Sequence, residues 1–351
     1  MRYLHIKWIL ISFISFILGK YLYICYHSPH MSILKSMLTP HPRTTKHIKE
    51  KSRHETMKER KEKVLEYNAL YDLSSKFTAD TDNVAVPNIV HYIWVDKGKG
   101  IPFTFLNALS FFSVHNIWKP RIIYIHANQL PTGPWWQLVE LNIGNIKHIK
   151  IDDTQVKIYG KIPLYTEHLT DILRLEILQD YGGVYIDTDI IAMRPLSPLR
   201  HFGHTQGIGM LDKGLSNGVI LAKQGSPFLK IWHEAYWTYG RIPDDINSTV
   251  WRYHSIELPG TLHSIFPRMI HTEQTALLGP KYFQYENETI KERTWQKNYC
   301  VHIWKRFTKV PEHPNDFKFI SKTSFVRELL EYVWFQQTIP ILKEGTYKIE
   351  R

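Results

Sequence analysis

The hydrophobic residues form one long apolar run near the N-terminus and a series of shorter patterned segments from Pro87 onward. Residues 8–26 have the sequence WILISFISFILGKYLYICY, in which Lys20 is the only charged side chain. This length suits an apolar helix that crosses a hydrocarbon core of about 30 Å. Arg2 and Lys7 precede the run, which favours a cytosolic N-terminus. The run predicts a transmembrane helix.

Two alternatives stay open for this run: a cleaved signal peptide and a buried helix. No small-x-small cleavage site follows it, and a charged tract follows instead. We therefore expect an uncleaved signal anchor at 8–26, with a cytosolic tail at 1–7. Residues 27–85 are rich in His, Lys, Arg, Thr and Pro, which is typical of a solvated lumenal stem. This arrangement predicts a single-pass type II membrane protein.

From residue 86 onward, apolar segments of strand length alternate with segments of helical periodicity. The predicted strands are Asn88–Val95, Arg121–His126, Ile146–Ile151 and Val184–Ile186, and the predicted helices are Phe103–Phe112 and Thr166–Tyr181. Such alternation is typical of an α/β sandwich around a mixed, mainly parallel sheet. We expect one catalytic domain over 86–351, with ligands bound beyond the carboxyl ends of its strands.

Composition narrows the choice of partners. The 351 residues are 43% hydrophobic and 22% charged, as in ordinary globular proteins. The formal charge is +11, and residues 41–66 alone hold nine Lys or Arg against five Asp or Glu. No RNP motif, zinc-finger spacing or Arg-rich arm accompanies this charge, so we expect no nucleic-acid partner. The two cysteines, Cys25 and Cys300, provide neither a disulfide framework nor a Cys-rich metal site.

The most informative segment is LTDILRLEILQDYGGVYIDTDII, residues 169–191. In an extended chain residues i and i+2 point to the same side, so Asp187 and Asp189 face one ligand together. Two adjacent carboxylates repel each other unless a cation lies beside them, and a divalent cation with a diphosphate supplies that charge. Two alternatives stay open here: a solvated surface turn, and a dehalogenase-type phosphoryl transferase whose first Asp is the nucleophile.

The predicted helix before this pair carries Asp171 and Arg174 on one face, at i and i+3. An ordinary ion pair on a helix surface explains that spacing equally well. Gly182-Gly183 ends the helix, which suits a C-terminal cap with positive φ followed by a close backbone approach. Two glycosylation sequons begin at Asn247 and Asn287, and they agree with a lumenal domain.

Together these motifs resemble glycosyltransferase family 32, the group that contains a DXD motif. The matching residues occur in the family's order: Thr170-Asp171, Arg174, Gly182-Gly183, Tyr185, Asp187 and Asp189. Looser similarities lie in the opening strand, in Asn217-Gly218, in Gly279-Pro280 and in His302-Ile303-Trp304. The resemblance covers about residues 86–306 and implies a GT-A fold of Rossmann type, a nucleotide-sugar donor, Mn²⁺ (or Mg²⁺), and retention of anomeric configuration.

The resemblance also implies roles for individual residues. The catalytic set is Asp171, Arg174, Asp187 and Asp189, and the metal ligands are Asp187, Asp189 and His302. Donor binding is expected from Trp94, His91, Asp171, Arg174, Gly183, Tyr185, Asp187 and Asn217. For Trp94, packing in the core is an equally good explanation. The acceptor is a glycan or glycolipid hydroxyl, and a groove lined by Trp232, Trp237 and Trp251 competes with core packing of the same rings. A membrane-tethered, inactive sugar-binding or scaffold homologue remains the alternative function.

Overall fold

The structure, a computed structural model, describes residues 84–209, 214–240, 251–274, 276–280, 294–338 and 342. The predicted tail and anchor, the stem as far as residue 83, and both sequons lie outside these residues. Every described residue belongs to one compact unit, Thr81–Arg351. None of the helices in the described part of the chain is long and apolar enough to cross a membrane.

Nine strands and six α-helices make up the described chain. The strands are β1 (Ile89–Trp94), β2 (Ile122–Ala127), β3 (Ile146–Lys150), β4 (Gly183–Ile186), β5 (Ile190–Ala192), β6 (His204–Ile208), β7 (Leu215–Ala222), β8 (His271–Glu273) and β9 (Cys300–His302). The helices are α1 (Phe105–Ser113), α2 (Pro134–Asn142), α3 (Thr166–Tyr181), α4 (Pro227–Ala235), α5 (Leu258–Ile265) and α6 (Phe325–Glu331). Short π-helical turns extend α1 and α6 and precede α5.

Seven strands form one mixed sheet in the order β3-β2-β1-β4-β7-β6-β8. Strands β3, β2, β1 and β4 are parallel neighbours, while β7 is antiparallel to both β4 and β6. Strand β8 pairs in parallel with β6, and β5 and β9 form a separate antiparallel ribbon. The predicted α/β class with a mixed, mainly parallel sheet is therefore confirmed. The carboxyl ends of β1 and β4 lie at one edge of the sheet, next to the start of β7.

The two faces of β1 carry different side chains because successive residues of a strand point in opposite directions. Val90, Tyr92 and Trp94 belong to the main hydrophobic core, which also contains α1, α2 and α6. Ile89 packs with residues of β2 on the opposite face, where the His91 ring contacts Tyr181 at the end of α3. The sheet is thus covered on both sides, so its central strands are buried throughout.

The junction between α3 and β4 has the geometry that the paired glycines predict. Gly182 has φ of 64° and Gly183 has φ of 108°, in the region that glycine adopts most easily. A Cβ on Gly182 would lie 2.6 Å from the backbone nitrogen of Gln224, and one on Gly183 would lie 2.7 Å from the carbonyl oxygen of Ile89. The predicted cap and close backbone approach are both confirmed. This tight turn leads α3 directly into β4, whose carboxyl end lies at the edge where the parallel strands end.

Candidate functional site

The Asp187–Asp189 turn joins β4 to β5 and is held by backbone bonds from two other strands. The Asp187 amide donates to the Gly218 carbonyl oxygen of β7 over 2.9 Å. The Ile303 amide, directly after β9, donates to the Asp189 carbonyl oxygen over 3.0 Å. Ile190 closes the turn by donating to the Asp187 carbonyl oxygen over 3.3 Å. The turn is therefore fixed at both ends, at the carboxyl edge of the sheet.

The three residues predicted as metal ligands are brought together. One ligand atom from each of Asp187, Asp189 and His302 lies within 4.8 Å of the others. The register of the β5–β9 ribbon explains how a residue more than a hundred positions away arrives here, since His302 pairs with Ile190, next to Asp189. His302 Nε2 lies 3.2 Å from Asp189 Oδ1, and the Trp304 ring stacks on the imidazole with centroids 4.0 Å apart.

Burial and charge act on these three groups in different directions. Burial raises the pKa of Asp187, although Arg174 and His302 oppose the rise. Burial also works against ionised Asp189, but His302 and the Lys305 amide outweigh it and lower the pKa of Asp189. Burial works against protonated His302, but the charges of Asp189 and Asp187 and the hydrogen bond to Asp189 together outweigh it and raise the pKa of His302. The two carboxylates therefore favour positive charge at this point of the site.

A second cluster adjoins the first and is built around a buried guanidinium. Arg174 Nη2 lies 3.0 Å from Asp171 Oδ1, and the two side chains are only 6% and 3% exposed. Arg174 Nη1 donates to the Asn217 carbonyl oxygen over 2.8 Å and lies 3.4 Å from Asp187 Oδ1. The side-chain Nδ2 of Asn217 donates to Asp171 Oδ1 over 2.7 Å. The ion pair predicted from helical spacing is therefore internal, not a surface pair.

Tyr185 links the two clusters. Its hydroxyl donates to Asp187 Oδ1 over 2.5 Å, and the Arg174 guanidinium lies 4.4 Å from its ring centroid. Burial raises the Tyr185 pKa well above its usual value, with Arg174 opposing, so the phenol stays protonated and remains a donor. One continuous polar network therefore joins the residues of both motifs: Asp171, Arg174, Tyr185 and Asp187.

Three other predicted donor-binding residues lie in the interior. Trp94 is 8% exposed and packs against Phe103, with ring centroids 5.5 Å apart, so core packing accounts for most of its surface. His91 is fully buried, and its ring nitrogens lie 2.9 Å from the Gly182 carbonyl oxygen and 3.0 Å from His126 Nε2. Gly183 lies against His91. The position of His91 indicates a packing role, in place of the donor contact that the motif implied.

One of the three tryptophans predicted to line an acceptor groove, Trp232, is instead packed in the interior. Trp232 is 1% exposed, and its indole N–H donates to the His254 carbonyl oxygen over 2.9 Å. The Trp232 ring is therefore part of the core beneath α4. Trp237 and Trp251 are only partly buried.

Two site groups were not identified from the sequence as contributors to the site. A Cβ on Gly218 would lie 3.0 Å from Asp187 Oδ2 and 3.3 Å from His302 Nδ1, so this glycine keeps the space between the ligands open. The Lys305 backbone amide donates to Asp189 Oδ2 over 3.2 Å. The Asn-Gly motif hinted at the first group. Nothing in the sequence points to the second, because a backbone amide leaves no trace in residue identity.

These residues fit a divalent metal. Carboxylates are ligands that Mn²⁺ and Mg²⁺ prefer, and His302 adds a neutral nitrogen ligand once it is deprotonated. Asp187 and Asp189 keep 27% and 22% of their side-chain surface exposed, so a ligand can reach them from solvent. The gap left by Gly218 lies between the same groups. Arg174 places a permanent positive charge beside this gap, which suits an anionic ligand such as a diphosphate.

Comparison with known proteins agrees with this arrangement. The family model described as "Glycosyltransferase sugar-binding region containing DXD motif" matches residues 29–205, half of the chain. Glucan organizing enzyme 1 of Cryptococcus neoformans var. grubii is 29% identical over 242 residues, which cover 63% of this chain and 63% of that protein. Glycosyltransferase afumC of Aspergillus fumigatus is 31% identical over 88 residues, covering 22% of each chain.

Among solved structures, the glycosyltransferase GlyE of Streptococcus pneumoniae matches with a TM-score of 0.43 and 13% identity, over 73% of this chain and 62% of that chain. Because this score is low, family membership rests on the family model and on the motif residues that the site brings together. The chain belongs to the family of glycosyltransferases whose sugar-binding region contains a DXD motif.

Proposed function

We propose that this protein is a metal-dependent, retaining glycosyltransferase. It transfers a hexose or N-acetylhexosamine from a nucleotide sugar to a hydroxyl of a glycan or glycolipid. A UDP-sugar is favoured as donor, and GDP-mannose is the other candidate. The observation that carries the proposal is the convergence of Asp187, Asp189 and His302 within 4.8 Å, beside the buried Asp171–Arg174 pair.

The two clusters of side chains have different roles in this proposal. Asp187, Asp189 and His302 would hold Mn²⁺ or Mg²⁺, which supplies Lewis acidity toward a departing diphosphate. Arg174 stays charged and adds fixed electrostatic stabilisation to the negative charge that develops on that leaving group. Asp171 and Asn217 present oxygen and nitrogen atoms for hydroxyls of the donor sugar. Because these groups are already bonded to one another, they need little reorganisation when substrate binds.

Retention of configuration belongs to the same proposal. Asp171 is engaged by Arg174 and Asn217, and the carboxylates of Asp187 and Asp189 face the metal position. These carboxylates therefore have other tasks than attack on the anomeric carbon. We propose that the acceptor hydroxyl attacks from the face that the diphosphate leaves.

The cellular setting is also part of the proposal. The apolar run at 8–26 supports a type II anchor in the Golgi membrane, with the catalytic domain in the lumen. Nucleotide-sugar donors and glycan or glycolipid acceptors are the partners that such a protein would meet there. The sequons at Asn247 and Asn287 would then carry N-linked glycans.

The test is donor hydrolysis and transfer by the purified full-length protein. UDP-galactose, UDP-N-acetylglucosamine, UDP-glucose and GDP-mannose are each incubated with and without Mn²⁺, and the released nucleoside diphosphate is measured. We expect metal-dependent release from one donor. Asp189→Asn should reduce it roughly 100-fold or more while the melting temperature stays close to that of the parent.

The matched control is Asp180→Asn. Asp180 is an exposed residue at the end of α3, at the opposite end of β4 from the metal position, and this variant should retain full activity. Release that needs no metal and survives Asp189→Asn would contradict the proposal. Absence of both release and metal-dependent nucleotide binding with every donor would instead favour an inactive sugar-binding or scaffold protein.

A further inference from the structure

Asn107, in the first turn of α1, is a buried side chain whose two ends have different partners. It is 5% exposed. Its Oδ1 accepts from the backbone amide and from the hydroxyl of Thr104, both over 2.8 Å. Its Nδ2 donates to the Thr188 carbonyl oxygen over 3.0 Å. The orientation of the amide is fixed by chemistry, since an N–H lies at one end and a carbonyl oxygen at the other.

The bond donated by Asn107 Nδ2 falls on Thr188, the middle residue of the Asp187–Asp189 turn. Asp187 and Asp189 are held through their own backbone atoms by Gly218 of β7 and by Ile303 after β9. Thr188 is held by Asn107 of α1. Each residue of the turn is thus tied to a different part of the fold, and α1 supplies the tie between the two carboxylates.

Capping of α1 explains the bonds of Asn107 Oδ1 but not the bond of Asn107 Nδ2. The third residue of a capping box needs only an acceptor for the Thr104 amide, and a carboxylate such as glutamate would provide one. The Nδ2 donor has no part in that role. It reaches across 81 residues of sequence to a carbonyl oxygen that would otherwise lose a partner at the edge of the core.

We propose that Asn107 is a positioning residue for the metal site, which it serves by fixing the peptide plane between Thr188 and Asp189. This inference rests on the proposed function. The backbone rotation at that peptide sets the direction in which the Asp187 and Asp189 carboxylates point relative to each other. Residues that orient metal ligands typically change metal affinity 10- to 100-fold when they are removed.

The experiment measures the Mn²⁺ dissociation constant of the full-length protein directly, by electron paramagnetic resonance of free Mn²⁺, together with kcat, KM and melting temperature. The variant is Asn107→Ala. Its matched control is Ser113→Ala. Ser113 lies in the same helix and is fully buried, and its hydroxyl accepts from the Ala192 amide over 3.0 Å, at a position beyond the Asp187–Asp189 turn. A second control, Thr104→Val, weakens the cap but keeps the Asn107–Thr188 bond.

We expect Asn107→Ala to weaken Mn²⁺ binding about tenfold or more and to lower kcat, with a smaller effect on the donor KM at saturating metal. Ser113→Ala and Thr104→Val should lower the melting temperature by a comparable amount and leave Mn²⁺ affinity unchanged. If Asn107→Ala does not fold, Asn107→Ser, which keeps an acceptor for the cap, takes its place with the same expected loss of affinity.

Parental Mn²⁺ affinity in the Asn107 variant, or equal losses in all three variants, would overturn the inference while leaving the proposed function intact. A parent protein that binds no Mn²⁺ and shows no metal-dependent turnover would overturn both. The two failures are therefore distinguished by the behaviour of the parent.

Discussion

At the scale of single residues, the metal position depends on an absent side chain as much as on charged ones. Gly218 follows Asn217 in β7 and faces Asp187 and His302. Its backbone does not need positive φ, so the reason for glycine here is space alone. Any Cβ would press on both ligands at once.

We expect Gly218→Ala to weaken divalent-metal binding by about tenfold, because the added methyl group moves ligand atoms that it meets at 3.0 and 3.3 Å. Metal affinity and turnover are the measurements. Gly203→Ala is the matched control, since its nearest neighbour is a flexible lysine chain at 3.5 Å. Equal metal affinity in both variants would show that the gap beside the ligands is not needed.

At the scale of elements, the turn between α3 and β4 determines where the site lies. α3 supplies Asp171 and Arg174, and β4 leads into the Asp187 turn. The two elements are joined without a connecting loop. The geometry of Gly182-Gly183 therefore decides how the donor-binding cluster meets the metal ligands.

We expect Gly182→Ala to lower the free energy of unfolding by roughly 3 kcal/mol or more. Its φ of 64° and ψ of −174° lie in a region that is open almost only to glycine, and overlap with the Gln224 backbone adds to this strain. Gly100→Ala is the matched control. Its φ of 62° is close to the 64° of Gly182, but nothing lies within 4 Å of its added Cβ. It should cost only about 1 kcal/mol. Chemical denaturation of both variants measures the difference, and equal losses would contradict the overlap argument.

At the scale of the whole molecule, buried histidines make stability depend on pH. Burial lowers the pKa of His91 to about 4 and that of His204 to about 4, with hydrogen bonds opposing in each case. His91 Nε2 must donate to the Gly182 carbonyl oxygen, so its Nδ1 accepts from His126 Nε2. Protonation of His91 would place two donors against each other there.

The sign of the effect follows from linkage. In the unfolded chain these histidines take up protons near pH 6.5, whereas in the folded protein they resist until about pH 4. The unfolded state therefore binds more protons in this interval, and stability falls as pH decreases from 6.5 toward 4. Each of the two histidines contributes a loss of roughly 2 kcal/mol at pH 5.

The measurement is the free energy of unfolding of the parent and of His91→Asn between pH 8 and pH 4.5. The variant lacks one titrating group, so its curve should be flatter below pH 6.5. The comparison at pH 8, where histidine is neutral in both states, isolates the packing cost of the substitution. Parallel curves over the whole range would show that His91 is not the source of the acid sensitivity.

The sequence alone determined the features that depend on local patterns. Short apolar runs and helical periodicity predicted β1, β2, β3, α1 and α3 to within about two residues of their observed bounds, and α3 spans Thr166–Tyr181 as expected. The alternation of side chains in an extended chain predicted that Asp187 and Asp189 face the same side. The two adjacent glycines, Gly182 and Gly183, predicted a tight turn with positive φ. These conclusions succeed because each depends on residues that are close together along the chain.

Only the tertiary structure decided which distant groups complete the site. The burial of Arg174 and Asp171 depends on β7 and on Asn217, and the approach of His302 depends on the register of the β5–β9 ribbon. His91 belongs to the strand that resembles the family's opening motif, yet its side chain is buried in the interior, away from the metal ligands. The Asn107–Thr188 bond and the Lys305 amide depend on contacts between segments far apart in sequence. Such contacts are set by packing of the whole core, which no local pattern records.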